Sequence, residues 1–466
     1  MRSSRRLAFF FILRLRQIAL GCMMFAGSLQ AQDSRINKDS LAAVFDRELR
    51  GGILAHWYPK MIDTVYGGYF SNASAEWELT SRQPKMLVTQ SRGVWTCSEA
   101  AMFCKDSAYK TYAQHGVKFL LDRMWDSDYG GFFNSRSREG TFARELYADR
   151  KTAYGNAFAI YALCSYYRLT GDSRALDFAK RTFSWLEAHS HDDANGGYVD
   201  LMDRQGNWLP AGKGGQDFWK DYNSSIHILE AYTELYKIWH DPLVKQRLQE
   251  MMAIVCDTFV NEKGYLNLNF TANWQLITNR DSDEKTFIRL RERDHVSFGH
   301  DVETAFLLLE ASFALGTDYN KTLEVAKKLV DHSLKNGFDW KCGGFYNEGY
   351  YFKGRDTIAI LDKNAQWWTQ AEGLNALLLM AELFPLEKQY SDAFLLEWSY
   401  IDQWILDKRN GEWFFNGSNY NPSVVNAPKA TVWKCNYHNS RALMNCIRML
   451  RNENEMVKHF TGIIHQ

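Results

Sequence analysis

The chain has 466 residues, 46% of them hydrophobic, enough to bury a large core; length alone would divide it into two or three ordinary domains. Lys plus Arg and Asp plus Glu each number 55, so there is no basic surplus to favour nucleic acid and no acidic tail. The expected partner is therefore small and uncharged or only locally charged, and 16 Trp with 24 Tyr suit a cleft that stacks on sugar rings or other flat ligands.

In chain order, the first segment reads as a targeting sequence. Arg2, Arg5, Arg6, Arg14 and Arg16 form a basic region, IALGCMMFAG an apolar one, and LQAQ a small-residue cleavage site after Ala31. The apolar run is short for a bilayer span. Residues 1–31 are thus predicted to be a signal peptide, and 32–466 an exported, periplasmic or secreted, single domain with no membrane span. A lipoprotein anchored at Cys22 is the lesser alternative, because Ala19 suits the position three before it poorly. Without Cys22 the remaining cysteines are odd in number, scattered and free of CxxC, which speaks against a disulfide framework or a zinc site.

From residue 66 onward one phrase recurs: YGGYF, YGGFF, NGGYV, KGYLN, CGGFY and NGEWFF. Its glycines, Gly68, Gly131, Gly197, Gly264, Gly344 and Gly411, repeat about every 65 residues, with one interval stretched to about 80. Between them, TAYGNAFAIYALCSYYRLTGD is apolar almost all round and stops at Gly-Asp, while DSRALDFAKRTFSWLEAHS is amphipathic. Six such pairs, apolar helices inside and amphipathic helices outside, predict an all-α fold, an (α/α)6 barrel of six helical hairpins with short Gly-aromatic turns. The long interval holds the highly charged stretch LITNRDSDEKTFIRLRERDH, residues 276–295, read as a solvated hairpin or loop or, alternatively, a loop that covers the cleft.

In a ring of hairpins all inner helices run the same way, so their N-termini meet at one mouth. The inner starts, QSRGVWTCSEA, TAYGNAFAIYAL, KDYNSSIHILEAY, FGHDVETAFLLLEA, QWWTQAEGLNALL and KCNYHNSRALMNCI, bring Arg92, Tyr154, Asn156, Asn223, His227, His300, Glu303, Trp367, Trp368, Gln370, Glu372, Tyr437 and His438 together there. Three histidines at equivalent positions of different repeats, His227, His300 and His438, point to function. His300 and Glu303, three residues apart on one helix face, predict a carboxylate that orients the ring or raises its basicity. A metal site built from these histidines with Glu303 and Glu372 lacks any HExxH-like pairing, so none is expected. A Ser-His-Asp hydrolase lacks a GxSxG elbow.

The segments SRGVWTCSEA, YGNAFAIYAL, KDYNSSIHILEAYTELYKIW, FGHDVETAFLLLEA, QWWTQAEG and WKCNYHNSR, spread over residues 90–442, resemble the N-acylglucosamine 2-epimerase superfamily, most of all its cellobiose or mannobiose 2-epimerase branch. The resemblance implies an (α/α)6 barrel and reversible inversion at C2 of a reducing-end sugar, without cofactor or metal. It implies that His300 and His438 are the acid/base pair at C2 and that Arg92 and His227 hold O1 and O2 of a cis-enediolate. Glu303 would tune His300, Glu372 position sugar hydroxyls, Trp367 and Trp368 stack, and Tyr154, Asn156 and Asn223 make polar contacts. Three features depart from the branch: SSIH replaces a THLH-like phrase before His227, the turn before GHD is expanded, and an export signal precedes the domain. An aldose–ketose isomerase using the same histidines, a glycoside hydrolase or lyase on the same barrel, and an inactive sugar-binding protein are the competing readings.

Overall fold

The computed structural model describes residues 37–142, 149–209, 218–317 and 319–464; the predicted signal peptide, with Cys22, lies outside them. The helices are α1 (Lys38–Arg47), α2 (Leu87–Cys104), α3 (Ser107–Phe119), α4 (Ala153–Thr170), α5 (Ser173–His189), α6 (Tyr222–Ile238), α7 (Pro242–Ile254), α8 (Glu284–Leu290), α9 (Phe298–Leu315), α10 (Tyr319–Asn336), α11 (Trp367–Leu383), α12 (Lys388–Tyr400), α13 (Tyr437–Leu450) and α14 (Glu455–Ile464). Helix α9, FGHDVETAFLLLEASFAL, is buried on nearly every face. By contrast α10, YNKTLEVAKKLVDHSLKN, buries one stripe through Thr322, Ala326, Leu329, Val330 and Ser333, the i, i+4, i+7 spacing of a helix with one wet side.

The apolar helices form a closed inner ring. Helix α2 packs on α4, α4 on α6, α6 on α9, α9 on α11, α11 on α13, and α13 returns to α2. Each of α3, α5, α7, α10 and α12 packs outside the inner helix that precedes it, and the sixth outer place, against α13, is taken by α1. The architecture is the predicted (α/α)6 barrel, with its last hairpin assembled from the two ends of the described chain.

The two kinds of connection differ. Passage from an inner to an outer helix is tight: Gly171 and Gly316 take φ near 70° at the helix ends, and Asp106, Asp172 and Asp241 cap the following helices by accepting a backbone N–H two residues on. The Gly-aromatic phrases instead lead from each outer helix to the next inner one, so they ring the mouth. In five of the six an aspartate, Asp63, Asp126, Asp192, Asp339 or Asp407, closes the turn by backbone bonds in both directions across it. The glycines are required by positive φ and by crowding; a Cβ on Gly131, at φ 68°, would stand 2.8 Å from the Trp185 ring.

Lysines with fully buried side chains clasp three of these turns. Lys85 Nζ donates to Asp63 (3.0 Å) and to the carbonyls of Gly67 and Tyr69. Lys151 repeats the pattern on Asp126 (3.0 Å) and Lys220 on Asp192 (2.8 Å). Each lysine stands in a short strand just before an inner helix, and these strands pair antiparallel with the next repeat: Lys85–Met86 with Ser135–Arg136, Arg150–Thr152 with Leu201–Asp203, and Lys220–Asp221 with Asn269–Phe270. The strands are an addition to the all-helical expectation. Two or three residues long, they carry no alternation for sequence reasoning to detect.

The charged 276–295 insertion, read as a solvated loop, carries a helix of its own. Phe287 of α8 is buried and stacks on Tyr350 at 3.8 Å, while Asp294 accepts from Tyr350 (3.0 Å) and from the Asn279 backbone (2.7 Å). The insertion is thereby fixed to Glu348–Tyr350, the strand paired with Val296–Ser297 at the entrance to α9.

Removing one partner of a buried ion pair leaves the other charge uncompensated. Lys220→Met is therefore expected to lower the stability measured by urea unfolding by about 3–5 kcal/mol. Lys408→Met, which breaks the exposed Lys408–Asp402 pair, is the control and should cost less than about 1 kcal/mol.

Candidate active site

Each inner helix contributes to one polar cluster at its N-terminal end. Arg92 comes from α2, Tyr154 from α4, His227 and Glu230 from α6, His300 and Glu303 from α9, Trp368 and Glu372 from α11, and His438 and Arg441 from α13. His300 and His438 stand on the helices either side of α11, whose Trp368 indole contacts both: the ring centroids lie 4.5 Å from His300 and 5.8 Å from His438.

The two imidazoles are held differently. His438 Nδ1 lies 2.7 Å from Glu372 Oε1, an oxygen that also accepts from Arg441 Nη2 at 2.7 Å. An oxygen already accepting from a guanidinium accepts from the ring as well, so Nδ1 carries the proton and Nε2 the lone pair. His300 has no carboxylate partner among the described residues. Its Nδ1 lies 2.6 Å from Ser297 Oγ and 3.1 Å from the Tyr222 hydroxyl. Burial pushes both rings well below the usual histidine range; repulsion from His227, His295, His438 and Arg92 pushes His300 the same way, and Arg92 does so for His438. Both are therefore neutral at neutral pH.

His227 Nδ1 pairs with Glu230 Oε2 at 2.8 Å, and the ring packs against Phe158 and Tyr154. Burial alone would raise the Glu230 carboxyl, but Arg441 and His227 outweigh it and bring it down to about 2. Arg92 is 6% exposed and makes no ion pair among the described residues. Its guanidinium lies over the Phe158 ring (4.5 Å) and the Tyr437 ring (5.1 Å) and donates to the Tyr154 hydroxyl at 3.2 Å. A buried cation without a counter-ion is costly, and its free donors suit an oxygen on which negative charge develops. Asn223, on the next helix, is near enough to the Tyr154 hydroxyl to favour its ionised form.

Four of the residues assigned from sequence have partners in this geometry that the assignment did not foresee. Glu303 does not tune His300: Oε1 pairs with Arg441 Nη2 at 2.5 Å and lies 3.8 Å from His438 Nδ1, because the cross-barrel guanidinium outcompetes the same-face neighbour. Glu372, fully buried, holds His438 and Arg441 through Oε1. Asn156 is likewise buried; its Oδ1 accepts from Phe132 N (2.8 Å) and its Nδ2 donates to Thr152 O (2.9 Å), so it braces a turn as Gln370 does at Phe345. Trp367 is packed against Phe415 at 4.6 Å, under Lys434, and only Trp368 faces the histidines.

Other participants were not singled out from sequence: Ser297 and Tyr222 beneath His300, Glu230 behind His227, and Arg441. The exposed Trp433, five residues before His438, is a further rim residue; its neighbour Val432 accepts from Thr89 at the start of α2. Glu303, Glu372 and His438 are the one group among the described residues with donor atoms close enough to hold a metal ion, yet the cation lying on both carboxylates is the Arg441 guanidinium. A cavity of about 850 Å³ beside α10, lined by Lys263, Lys328, His332 and Lys335, lies apart from this cluster and gathers none of its groups.

The sequence pattern of the N-acylglucosamine 2-epimerase (GlcNAc 2-epimerase) family matches residues 68–442. A cellobiose 2-epimerase of Bacteroides fragilis is 28% identical over 414 residues, covering 87% of this chain and 97% of the relative. One from Ruminococcus albus is 30% identical over 410 residues, covering 86% and 97%. The solved structure of cellobiose 2-epimerase from Bacillus thermoamylovorans B4167 superposes with a TM-score of 0.77 at 25% identity, covering 88% of this chain and 99% of that one.

The two arginines should separate in a stability measurement. Arg92→Leu breaks no ion pair and is expected to shift urea unfolding by less than about 1 kcal/mol, whereas Arg441→Leu strands three carboxylates and should cost about 3–5 kcal/mol or more.

Proposed function

Because the chain belongs to the N-acylglucosamine 2-epimerase family, we propose that it is a sugar 2-epimerase inverting C2 at the reducing end of a cellobiose- or mannobiose-like disaccharide. The observation that carries this reading is the pair of imidazoles, His300 and His438, that both contact the Trp368 indole. Inversion at C2 needs two proton-transfer groups on opposite faces of one carbon, and an open-chain C1 aldehyde to delocalise the charge as a cis-enediolate. With the sugar on Trp368, one imidazole takes the C2 proton and the other returns one to the opposite face; the roles exchange in the reverse direction. His438 uses Nε2, since Nδ1 is committed to Glu372.

The developing charge on O1 and O2 is met by Arg92, whose donors lack a carboxylate, and by His227, held by Glu230. The export of the mature chain, predicted from the N-terminal segment, is part of the proposal. So is a disaccharide substrate, which Trp433 at 52% exposure on the rim supports by offering a stacking face for a second sugar. The aldose–ketose isomerase reading shares the enediolate and differs only in where the proton returns.

The test is proton NMR of cellobiose, mannobiose, glucose, mannose and N-acetylglucosamine incubated with enzyme in D2O. Deuterium at C2 together with the C2 epimer is expected; a ketose product would favour the isomerase, and release of smaller sugars from longer glycans the hydrolase. His300→Asn and His438→Asn are each expected to lower kcat by about 10²–10⁴-fold. Trp433→Ala should raise KM for the disaccharide by roughly tenfold and leave a monosaccharide substrate unchanged. Since burial depresses both histidines, kcat/KM should stay level as pH falls through about 6.5 and decline only below it, where the rings take up protons.

A further inference from the structure

Resting on that reading, we propose that Arg441 is a positioning residue: one guanidinium, out of reach of the substrate, holds the carboxylates behind both His227 and His438, and so orients both rings and keeps the His438 ring free to accept a proton. Arg441 Nη1 donates to Glu230 Oε1 and to the Tyr437 hydroxyl (2.5 Å), and Nη2 donates to Glu303 Oε1 (2.5 Å) and Glu372 Oε1 (2.7 Å). Glu230 turns its other oxygen to His227 Nδ1 at 2.8 Å, and Glu372 turns Oε1 to His438 Nδ1 at 2.7 Å. The backs of two imidazoles on separate helices thus converge on a side chain that is 2% exposed.

The electrostatic reason is direct. A carboxylate alone behind an imidazole stabilises the imidazolium, which cannot accept the C2 proton; a guanidinium on the same carboxylate withdraws that stabilisation. Other charged or titratable groups face the cluster from each packed helix: Arg92 from α2, Tyr154 and Tyr161 from α4, His227 and Glu230 from α6, His300, Glu303 and Glu310 from α9, Glu372 from α11, and Tyr437, Arg441 and Cys446 from α13. Cys435 adds a thiol beside Arg92. Of the cations among the described residues, only Arg441 touches the carboxylates that hold the rings. Its loss would leave Glu230, Glu303 and Glu372 with only imidazoles and the Tyr437 hydroxyl to compensate them.

The test is the pH profile of C2 exchange for wild type, Arg441→Met and Arg441→Lys. At about pH 7 Arg441→Met is expected to lose at least roughly 10²-fold in kcat with KM within about threefold, its acidic limb shifted up by about one unit or more so that activity returns as pH rises. Arg441→Lys, which keeps a charge but cannot span three carboxylates, should shift the limb the same way by about half a unit, and it carries the test if the Met variant does not fold. A uniform loss at every pH, or an unmoved limb in the folded variants, overturns the proposal. Absence of exchange by the wild-type enzyme would instead overturn the epimerase reading.

Discussion

One guanidinium joins four of the six inner helices. Arg441, on α13, reaches carboxylates from α6, α9 and α11, and every member of the group is almost completely buried. Charges taken from water in this way are tolerated only with close mutual contact. The polar cluster can therefore exist only if those helices are held in one relative position. The mouth above is fixed by the same logic, through lysines clasped onto turn aspartates. The candidate site lies between two layers of buried ion pairs, which explains how histidines can occupy apolar helices without collapsing into the core.

Within that frame the two site arginines divide the work by their surroundings. Arg441 is held by three carboxylates and Arg92 is met by two aromatic faces and one hydroxyl. A cation whose donors are already ordered, yet unspent, needs no reorganisation when charge develops nearby. The histidines are divided in a similar way. His438 is backed by a carboxylate and His300 by two hydroxyls, so the same side chain type is presented in two electrostatic settings against one indole.

Much of this was legible in the sequence. The recurring Gly-aromatic phrase set the number of repeats, the apolar and amphipathic helices set the two layers, and the common direction of the inner helices brought His227, His300 and His438 to one end. Pairings across the barrel were not legible. The spacing of His300 and Glu303 describes neighbours along one helix, but it cannot weigh them against an arginine more than a hundred residues away. Glu230 and Arg441 look like ordinary charged residues in their own helices, and their significance arises only when the ring closes. Asn156 and Gln370 were placed at the mouth by position, but their amides serve turn backbones, a role that no local pattern announces. Ser297 was hidden for a similar reason, in a two-residue strand recognisable only through its partner, Glu348–Tyr350.

The ring is closed by α1 and α13, the first and nearly the last helices of the barrel. The ribosome completes them at opposite ends of synthesis. Helix α13 carries both His438 and Arg441, so Glu230, Glu303 and Glu372 are all made before the cation that makes their burial tolerable. Five hairpins can stack on one another without it, but the polar end of the barrel cannot consolidate until the final inner helix inserts between α11 and α2 and meets α1, whose Phe45 also packs on α12. Maturation of the site is thus a late, cooperative event imposed by topology, and a chain stopped short of residue 441 would retain most of the scaffold's apolar surface while lacking the charge that allows its centre to close.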